Sequence, residues 1–283
     1  MFVFKAAVVG AGTMGGDIAY AIADAGIPVV LMDLGPEPVD AGIARARSTW
    51  QARVDAGKLD ADQVEQRVAL ITGASDLGGF GDADFVIEAV PERLDVKQMV
   101  FAELDAATPG HAVLASNTSA LSISEIGEAT ARPDKVVGFH FFYPASTARL
   151  IEVVEGEYSS PETVRDAVNF AQTIRKTPIR CGEAPGFVVN RILTAAASEL
   201  FRAVDQSGVS LADVDELVVG AKASVIGPFR LADLLGLDTV LHVAEHLQES
   251  YGERFHVSEA MRERVADGRL GRKSGKGFYE YDS

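Results

Sequence analysis

The sequence contains a single cysteine, Cys181, among its 283 residues, so no disulfide can form within the chain. A lone cysteine fits a reducing compartment. No stretch stays apolar for the length of a bilayer crossing, and no apolar segment follows a basic head at the amino terminus. We therefore expect a cytoplasmic protein that is not inserted in a membrane.

Positive charge is also scarce, because 26 Lys and Arg stand against 41 Asp and Glu, for a net charge of -15. Most of such a surface repels a phosphate backbone, which argues against nucleic acid as a partner. An anionic ligand would have to be held by local dipoles and a few cations. The length and the ordinary composition, with 47% hydrophobic residues, favour a soluble globular protein of about two domains.

The clearest pattern is a glycine-rich turn between a predicted strand and a predicted helix. A buried run of small apolar residues leads into Gly10-Ala11-Gly12-Thr13-Met14-Gly15, and a second strand ends at Asp33. In a dinucleotide site the glycines form the turn and admit the pyrophosphate, and the acid meets the adenosine ribose. Asp33 would repel a 2'-phosphate, so the pattern predicts NAD rather than NADP. The alternative is an incidental strand-turn-helix unit.

Further strands are predicted at residues 83–90 and 112–115, and both end in polar residues. Glu92 follows the first, and Ser116-Asn117-Thr118-Ser119 follows the second, where parallel strands line a ligand crevice. The four small residues could also cap a helix beginning near Ile123. Between these units, residues 42–70 predict a helical excursion, which is either a rim for the substrate or a simple insertion.

A histidine and a carboxylate twelve residues apart lie on two predicted short strands. His140 belongs to the stretch 137–144, and Glu152 to the stretch 149–154. Joined by a short turn, the strands could place the two side chains opposite each other, which is the geometry of an oriented base. A lone histidine on such a strand is more often a core residue, so its surroundings must decide.

The last third of the chain has a helical pattern. Residues 176–181 predict an edge strand, a boundary falls near residue 184, and helices follow, including one with Ser210 as its cap and one long helix over 231–251. His242 and His246 have helical spacing but no further ligand nearby, so no metal is predicted. The predicted fold class is α/β, with a doubly wound Rossmann-type N-terminal domain (1–184) and an all-helical C-terminal domain (185–283).

Several ordered motifs give the chain a family resemblance. It resembles the 3-hydroxyacyl-CoA dehydrogenases, which use NAD to interconvert 3-hydroxyacyl and 3-oxoacyl thioesters in fatty acid β-oxidation. The motifs that carry the resemblance are Gly10–Gly15, Glu88-Ala89-Val90-Pro91-Glu92, Ser116–Ser119, His140-Phe141-Phe142, Pro185–Arg191, Gly227-Pro228-Phe229 and Gly271–Tyr279.

The resemblance implies a role for individual residues. His140 would be the general base and Glu152 its partner, while Ser119 and Asn190 would hydrogen-bond the reacting oxygens. The C-terminal domain would form a homodimer interface. The positions similar to those that contact NAD in the family are Gly10, Ala11, Gly12, Thr13, Met14, Gly15, Asp33, Ala89, Val90, Glu92, Lys97, Asn117, Ser119 and Lys273.

Three departures from the family pattern concern the substrate. Tyr143 stands where the family usually has Asn, and Ala148-Arg149 replaces Met-Lys. The excursion lacks most lysines thought to meet the CoA phosphates, so Lys58 and Arg53, with Arg47, are the candidate cations. A hydroxy acid that is free or bound to a carrier protein is therefore an alternative substrate. A relative that binds nucleotide without turnover is the alternative of another class.

Overall fold

The computed structural model describes residues 1–281, which form two compact units. The first unit is Met1–Ala184, and the second begins at Pro185. Each unit has its own hydrophobic core. No helix among the described residues is long and apolar enough to cross a membrane.

The first unit is built on one eight-stranded sheet of order β3-β2-β1-β4-β5-β6-β7-β8. The first six strands are mutually parallel, β7 is antiparallel to β6, and β8 is parallel to β7. This order confirms the Rossmann-type prediction. The strands are β1 Ala6–Val9, β2 Val29–Met32, β3 Ile71–Ala74, β4 Phe85–Glu88, β5 Val113–Ser116, β6 Val136–Phe141, β7 Leu150–Glu155 and β8 Thr177–Gly182.

Helices cover the sheet and bury its apolar residues. The central strands β1, β4 and β5 are buried along their whole length, as expected when helices pack on both faces. Phe85, Phe139 and Phe170 pack together on one face, with ring centroids 4.3–6.0 Å apart. The helices of this unit are α1 Thr13–Asp24, α2 Pro36–Asp55, α3 Asp62–Val68, α4 Leu94–Ala107, α5 Ile123–Gly127 and α6 Pro161–Thr173.

The helical excursion begins earlier than the sequence predicted. We expected it to start near residue 42, but α2 begins at Pro36, directly after the extended residue Gly35. Proline is well suited to the first turn of a helix because its fixed φ is helical and its missing N–H is not needed there. The short strand β3, which follows α3, was not predicted.

The second unit is helical, with isolated bridges joining Gly271 to Lys276 and Lys276 to Glu280. The prediction of one long helix over 231–251 was wrong, because the helix is interrupted at Gly236. Gly236 has φ +96° and ψ 122°, which no helix allows, and its own N–H still closes the last turn of α9. The helices are α7 Val189–Ser207, α8 Leu211–Gly220, α9 Pro228–Leu235, α10 Leu237–Tyr251 and α11 Glu259–Ala266.

Two buried carboxylates hold the carboxyl-terminal segment of this unit in place. Asp233 accepts the N–H groups of Phe278 and Tyr279 at 2.8 and 2.9 Å, and also the Tyr281 hydroxyl. Asp215 accepts the Tyr279 hydroxyl at 2.8 Å. The glycines of the Gly271–Tyr279 motif leave room for Asp233, since a Cβ on Gly277 would lie 2.0 Å from its Oδ1.

Candidate active site

The glycine-rich turn has the shape of a dinucleotide cradle. Gly10 has φ +94°, and a Cβ there would lie 2.6 Å from the Ala89 carbonyl oxygen. A Cβ on Gly15 would lie 1.6 Å from the Gly10 carbonyl oxygen, whereas nothing lies within 4 Å of one on Gly12. The N-terminus of α1 begins there with no side-chain cap and no acid in its first turn. These features fit the pyrophosphate of NAD, which needs open space beside exposed N–H groups.

Two side chains hold this turn from the neighbouring elements. Asp33, directly after β2, accepts the Ala11 N–H at 2.7 Å and the Leu34 N–H at 2.7 Å. Arg45 of α2 donates to the carbonyl oxygens of Ala11 and Gly12, both at 2.8 Å. Sequence patterns did not indicate Arg45, because it lies 33 residues from Gly12 on a helix whose packing against the turn is a long-range contact.

A buried ion pair lies where β4 and β5 end. Lys97 is 1% exposed, and its ammonium lies 2.6 Å from Glu88 Oε1 and 3.2 Å from Glu92 Oε2. Glu88 also accepts the Val90 N–H and the Ser116 hydroxyl, both at 2.7 Å. Lys97 is therefore held inside the protein by carboxylates, a position that the family pattern alone did not reveal.

Glu92 joins this ion pair to the polar residues after β5. It accepts the Thr118 hydroxyl at 2.6 Å and the Ser119 N–H at 2.9 Å. Burial by itself raises the pKa of the Glu92 carboxyl, but the Lys97 charge and these hydrogen bonds outweigh it, so the pKa lies below its usual value. Glu92 is therefore a fixed anion at neutral pH, about one third exposed at the crevice.

One interpretation of the sequence was that the polar stretch after β5, residues 116–119, caps α5. It does not. The cap is Ser122, whose side chain accepts the Glu125 N–H. Instead, Asn117 accepts the Phe141 N–H at 2.9 Å and so ties the end of β5 to the end of β6. Asn117 and Ser119 therefore lie at the same edge of the sheet as the end of the strand that carries His140.

His140 and Glu152 face each other, as the strand pattern predicted. They are directly opposed in the antiparallel pair of β6 and β7, and Nδ1 of His140 lies 2.7 Å from Oε2 of Glu152. His140 is 6% exposed and Glu152 is 0% exposed. The His140 ring also packs on Phe142, with 4.6 Å between centroids. A carboxylate in contact with Nδ1 favours the tautomer that carries its proton there, which makes Nε2 the basic nitrogen.

Two of the three candidate cations of the excursion form ion pairs with acidic side chains. Arg53 lies 2.7 Å from Asp24, which also accepts the Trp50 indole N–H. Arg47 pairs with Glu65. Lys58 lies exposed in the turn between α2 and α3. The excursion therefore offers an approaching anion less positive charge than its sequence suggests.

Two predicted site residues belong to the second unit. Asn190 is the second residue of α7 and is half-buried. Lys273 pairs with Asp238 of α10 at 2.6 Å. No group of three or more potential metal ligands occurs among residues 1–281.

Comparison with protein families gives two matches that together cover nearly all of the chain. Residues 5–184 match the family model described as 3-hydroxyacyl-CoA dehydrogenase, NAD binding domain. Residues 186–281 match the one described as 3-hydroxyacyl-CoA dehydrogenase, C-terminal domain. The strands that carry the cradle and the His140–Glu152 pair all fall within the first match.

Individual relatives are similar along the whole chain. A probable 3-hydroxybutyryl-CoA dehydrogenase of Bacillus subtilis is 37% identical over 97% of this chain and 96% of its own length. A glyoxysomal fatty acid beta-oxidation multifunctional protein of Brassica napus is 36% identical, and this chain spans only 38% of it. The crystal structure of (S)-3-hydroxybutyryl-CoA dehydrogenase from Ralstonia eutropha superposes with a TM-score of 0.95 at 35% identity, and each chain is covered completely.

Proposed function

The chain belongs to the 3-hydroxyacyl-CoA dehydrogenase family, and on that premise we propose that His140 is the general base of the reaction and Glu152 its partner. The protein is an NAD-dependent oxidoreductase that interconverts 3-hydroxyacyl-CoA and 3-oxoacyl-CoA. We propose a short acyl chain, because two relatives that match over nearly their full length are named 3-hydroxybutyryl-CoA dehydrogenases, after a four-carbon substrate.

The observation that carries the proposal is the buried contact between Nδ1 of His140 and Glu152. Bound NAD supplies the hydride acceptor for oxidation of C3. The hydroxyl at C3 must lose its proton as the hydride leaves, and Nε2 of His140 is the atom to take it. Glu152 then stabilises the imidazolium, since the carboxylate gains an opposite charge at 2.7 Å.

The other site residues complete the proposal. Ser119 and Asn190 hydrogen-bond the reacting oxygens, and Asp33 holds the adenosine ribose. Glu92 and Lys273 contact the cofactor. We propose that Lys97 acts as a positioning residue, because its ammonium is already shared between Glu88, Glu92 and the Val90 carbonyl oxygen.

The protein is proposed to act in the cytoplasm as a homodimer formed by its C-terminal domain. Large apolar side chains are exposed on the second unit, and a contiguous apolar surface commonly marks an interface. They include Ile192, Leu193, Leu217 and Val225. A monomeric mass in solution scattering would contradict the dimer.

The test is the oxidation of NADH by acetoacetyl-CoA. We expect turnover by the native protein, and a loss of about 10²–10⁴-fold in kcat for His140→Ala with NAD binding retained. Absence of turnover with acetoacetyl-CoA, but turnover of a carrier-bound or free 3-oxo acid, would favour the alternative substrates. NAD binding without turnover of any of these would indicate a nucleotide-binding relative.

A further inference from the structure

A small pocket of the first unit lies beside the connection between the His140 strand and the Glu152 strand. Its volume is about 120 Å³. Its walls come from the end of α1, the connection between β6 and β7, and the end of α6. The residues that matter here are Asp24, Ser146, Arg149, Arg175 and Lys176. The volume is well below the several hundred Å³ of a site for a drug-sized molecule, so it suits a single small group.

Positive charge exceeds negative charge around this pocket. Asp24 is the acid in its wall, and that carboxylate already lies 2.7 Å from Arg53 and 3.0 Å from Arg67. Arg175 reaches Asp24 only at 3.7 Å. Arg149 is exposed and forms no ion pair within the described part of the chain. Asp17, a second nearby acid, accepts hydrogen bonds from the backbone N–H and the hydroxyl of Ser146.

Such an excess is unusual in a chain with a net charge of -15, where most cations are matched by acids. The positive potential of grouped cations attracts small anions, and arginine binds phosphate oxygens in a bidentate manner. The exposed hydroxyl of Thr147 lines the same pocket and adds a possible donor. The chemistry of the walls therefore favours a phosphate group over a neutral or apolar ligand.

The backbone at Arg175 supports a role for its charge. Arg175 follows the end of α6 and has φ +61°, a left-handed conformation that glycine adopts most readily at this place after a helix. A side chain that persists in such a conformation is a reason to look for a function. Its guanidinium lies 3.7 Å from Asp24, which lines the same pocket.

Lys176 links the pocket to the catalytic strands. Its ammonium donates to the carbonyl oxygens of Ala145 and Ala148 at 2.6 and 2.7 Å, so it holds the connection between β6 and β7. Burial lowers the pKa of Lys176, Asp17 and Asp24 oppose that effect, and the charge of Arg149 adds to it. A bound anion would relieve the repulsion between these two cations.

We propose that this pocket binds a phosphate group through Arg149, Arg175 and Lys176. One source is a phosphate of the CoA moiety, a reading that rests on the proposed function, and the other is free inorganic phosphate. The pocket would then supply the anion binding that the excursion lacks, because Arg53 and Arg47 there are already paired.

Thermal unfolding with inorganic phosphate tests the pocket without using activity. The variant is Arg175→Gly, which removes the charge while glycine tolerates the left-handed backbone. The matched control is Arg180→Gly on the edge strand β8, which removes an equal charge from an exposed pair with Glu155. We expect phosphate, at an ionic strength matched with sodium chloride, to raise the melting temperature of the native and control proteins more than that of Arg175→Gly.

Kinetics then separate the two sources of phosphate. If CoA supplies the group, Arg175→Gly and Arg149→Ala raise KM for acetoacetyl-CoA about tenfold but not for the acetoacetyl thioester of pantetheine, which lacks the phosphoadenosine end. If free phosphate is the ligand, only the thermal effect responds. Equal phosphate effects in variant and control, with unchanged KM, would overturn the proposal. A native protein without turnover would contradict the proposed function, and the thermal test would still decide on the pocket.

Discussion

Glu88 in the first unit and Asp233 in the second are both 0% exposed, but groups of different kinds satisfy them. Glu88 has a cation, since the Lys97 ammonium lies 2.6 Å away. Asp233 is held by neutral donors, namely two backbone N–H groups and the hydroxyl of Tyr281. The buried carboxylate of Glu88 is therefore compensated by a flexible charged side chain. The buried carboxylate of Asp233 is compensated by backbone N–H groups and a hydroxyl group.

The difference corresponds to what each region has to do. Backbone donors fix the position of the segment they belong to, so Asp233 shapes the fold of residues 278–281. An ammonium on a long side chain can be shared, and Lys97 is shared between Glu88 and Glu92 at the proposed cofactor crevice. Glu152 is similar to Glu88 in that its partner is an ionisable side chain, because His140 can gain or lose a proton. Changes at the His140–Glu152 pair of the first unit should therefore affect activity, and changes at Asp233 of the second unit should affect stability.

The largest loss of activity within this comparison is expected for Glu152→Gln. The Gln carbonyl oxygen can still accept a hydrogen bond from the Nδ1–H group of His140, but it carries no charge to stabilise the imidazolium, so kcat should fall by about 10²-fold or more. Steady-state kinetics measures the loss, and the melting temperature checks the fold. A normal kcat, or a loss explained wholly by unfolding, would break the distinction between the two regions.

A large loss of stability is expected for Lys97→Met, the exception within the first unit. Removing the ammonium leaves Glu88 as an uncompensated buried charge, which costs about 3–5 kcal/mol in free energy of unfolding. The double variant Lys97→Met with Glu88→Gln should recover most of this loss, because no buried charge is left. Urea denaturation measures both. If the double variant were as unstable as the single one, the Glu88 charge would not be the cause.

A smaller loss, about 1–3 kcal/mol, is expected for Asp233→Asn. Both oxygens of Asp233 accept hydrogen bonds, so the amide nitrogen of Asn would face an N–H group in either orientation. The matched control is Asp238→Asn, at an exposed ion pair with Lys273, where the loss should be smaller, about 0.2–1 kcal/mol. Denaturation curves of the full-length variants compare their free energies of unfolding. Equal stability of both variants would contradict the role given to Asp233.

The smallest effect is expected at alkaline pH. Burial, with the nearby Asp233 carboxylate, raises the pKa of Tyr281 to about 12 from 10.0. The folded protein therefore holds this proton more tightly, so the stabilisation is complete below pH 10 and is lost as the pH rises through about 12. Tyr281→Phe should lack this part of the decline in stability. An identical decline in stability with pH in the native protein and the variant would contradict the raised pKa of Tyr281.

The sequence predicted the parts of the fold that rest on short-range patterns. Gly10, Gly12 and Gly15 between two apolar strands indicated the cradle, and Ser210 correctly marked the start of α8. It also predicted that His140 would face Glu152, because strand alternation fixes which side chains share a face.

The failures came from contacts between segments distant in the chain. Gly236 looked like one glycine in a long apolar helix, but a Cβ there would lie 2.9 Å from Asp238 and 3.0 Å from Lys273, a residue far along the chain. Arg53 was predicted to be a cation for the substrate, but it forms an ion pair with Asp24 of α1. Local periodicity carries no record of such partners, so neither result could be derived from pattern alone.

The antiparallel pairing of β6 and β7 has a consequence for how this enzyme could be re-engineered. The residue pairs of the ladder align His140 with Glu152, and the connecting residues 142–149 lie outside that ladder. Segments of different length could therefore be grafted into that connection while the two groups stay aligned. A deletion of one residue inside either strand would instead turn one of the groups to the opposite face of the sheet. Libraries aimed at new substrates should thus vary the connection and leave both strands untouched.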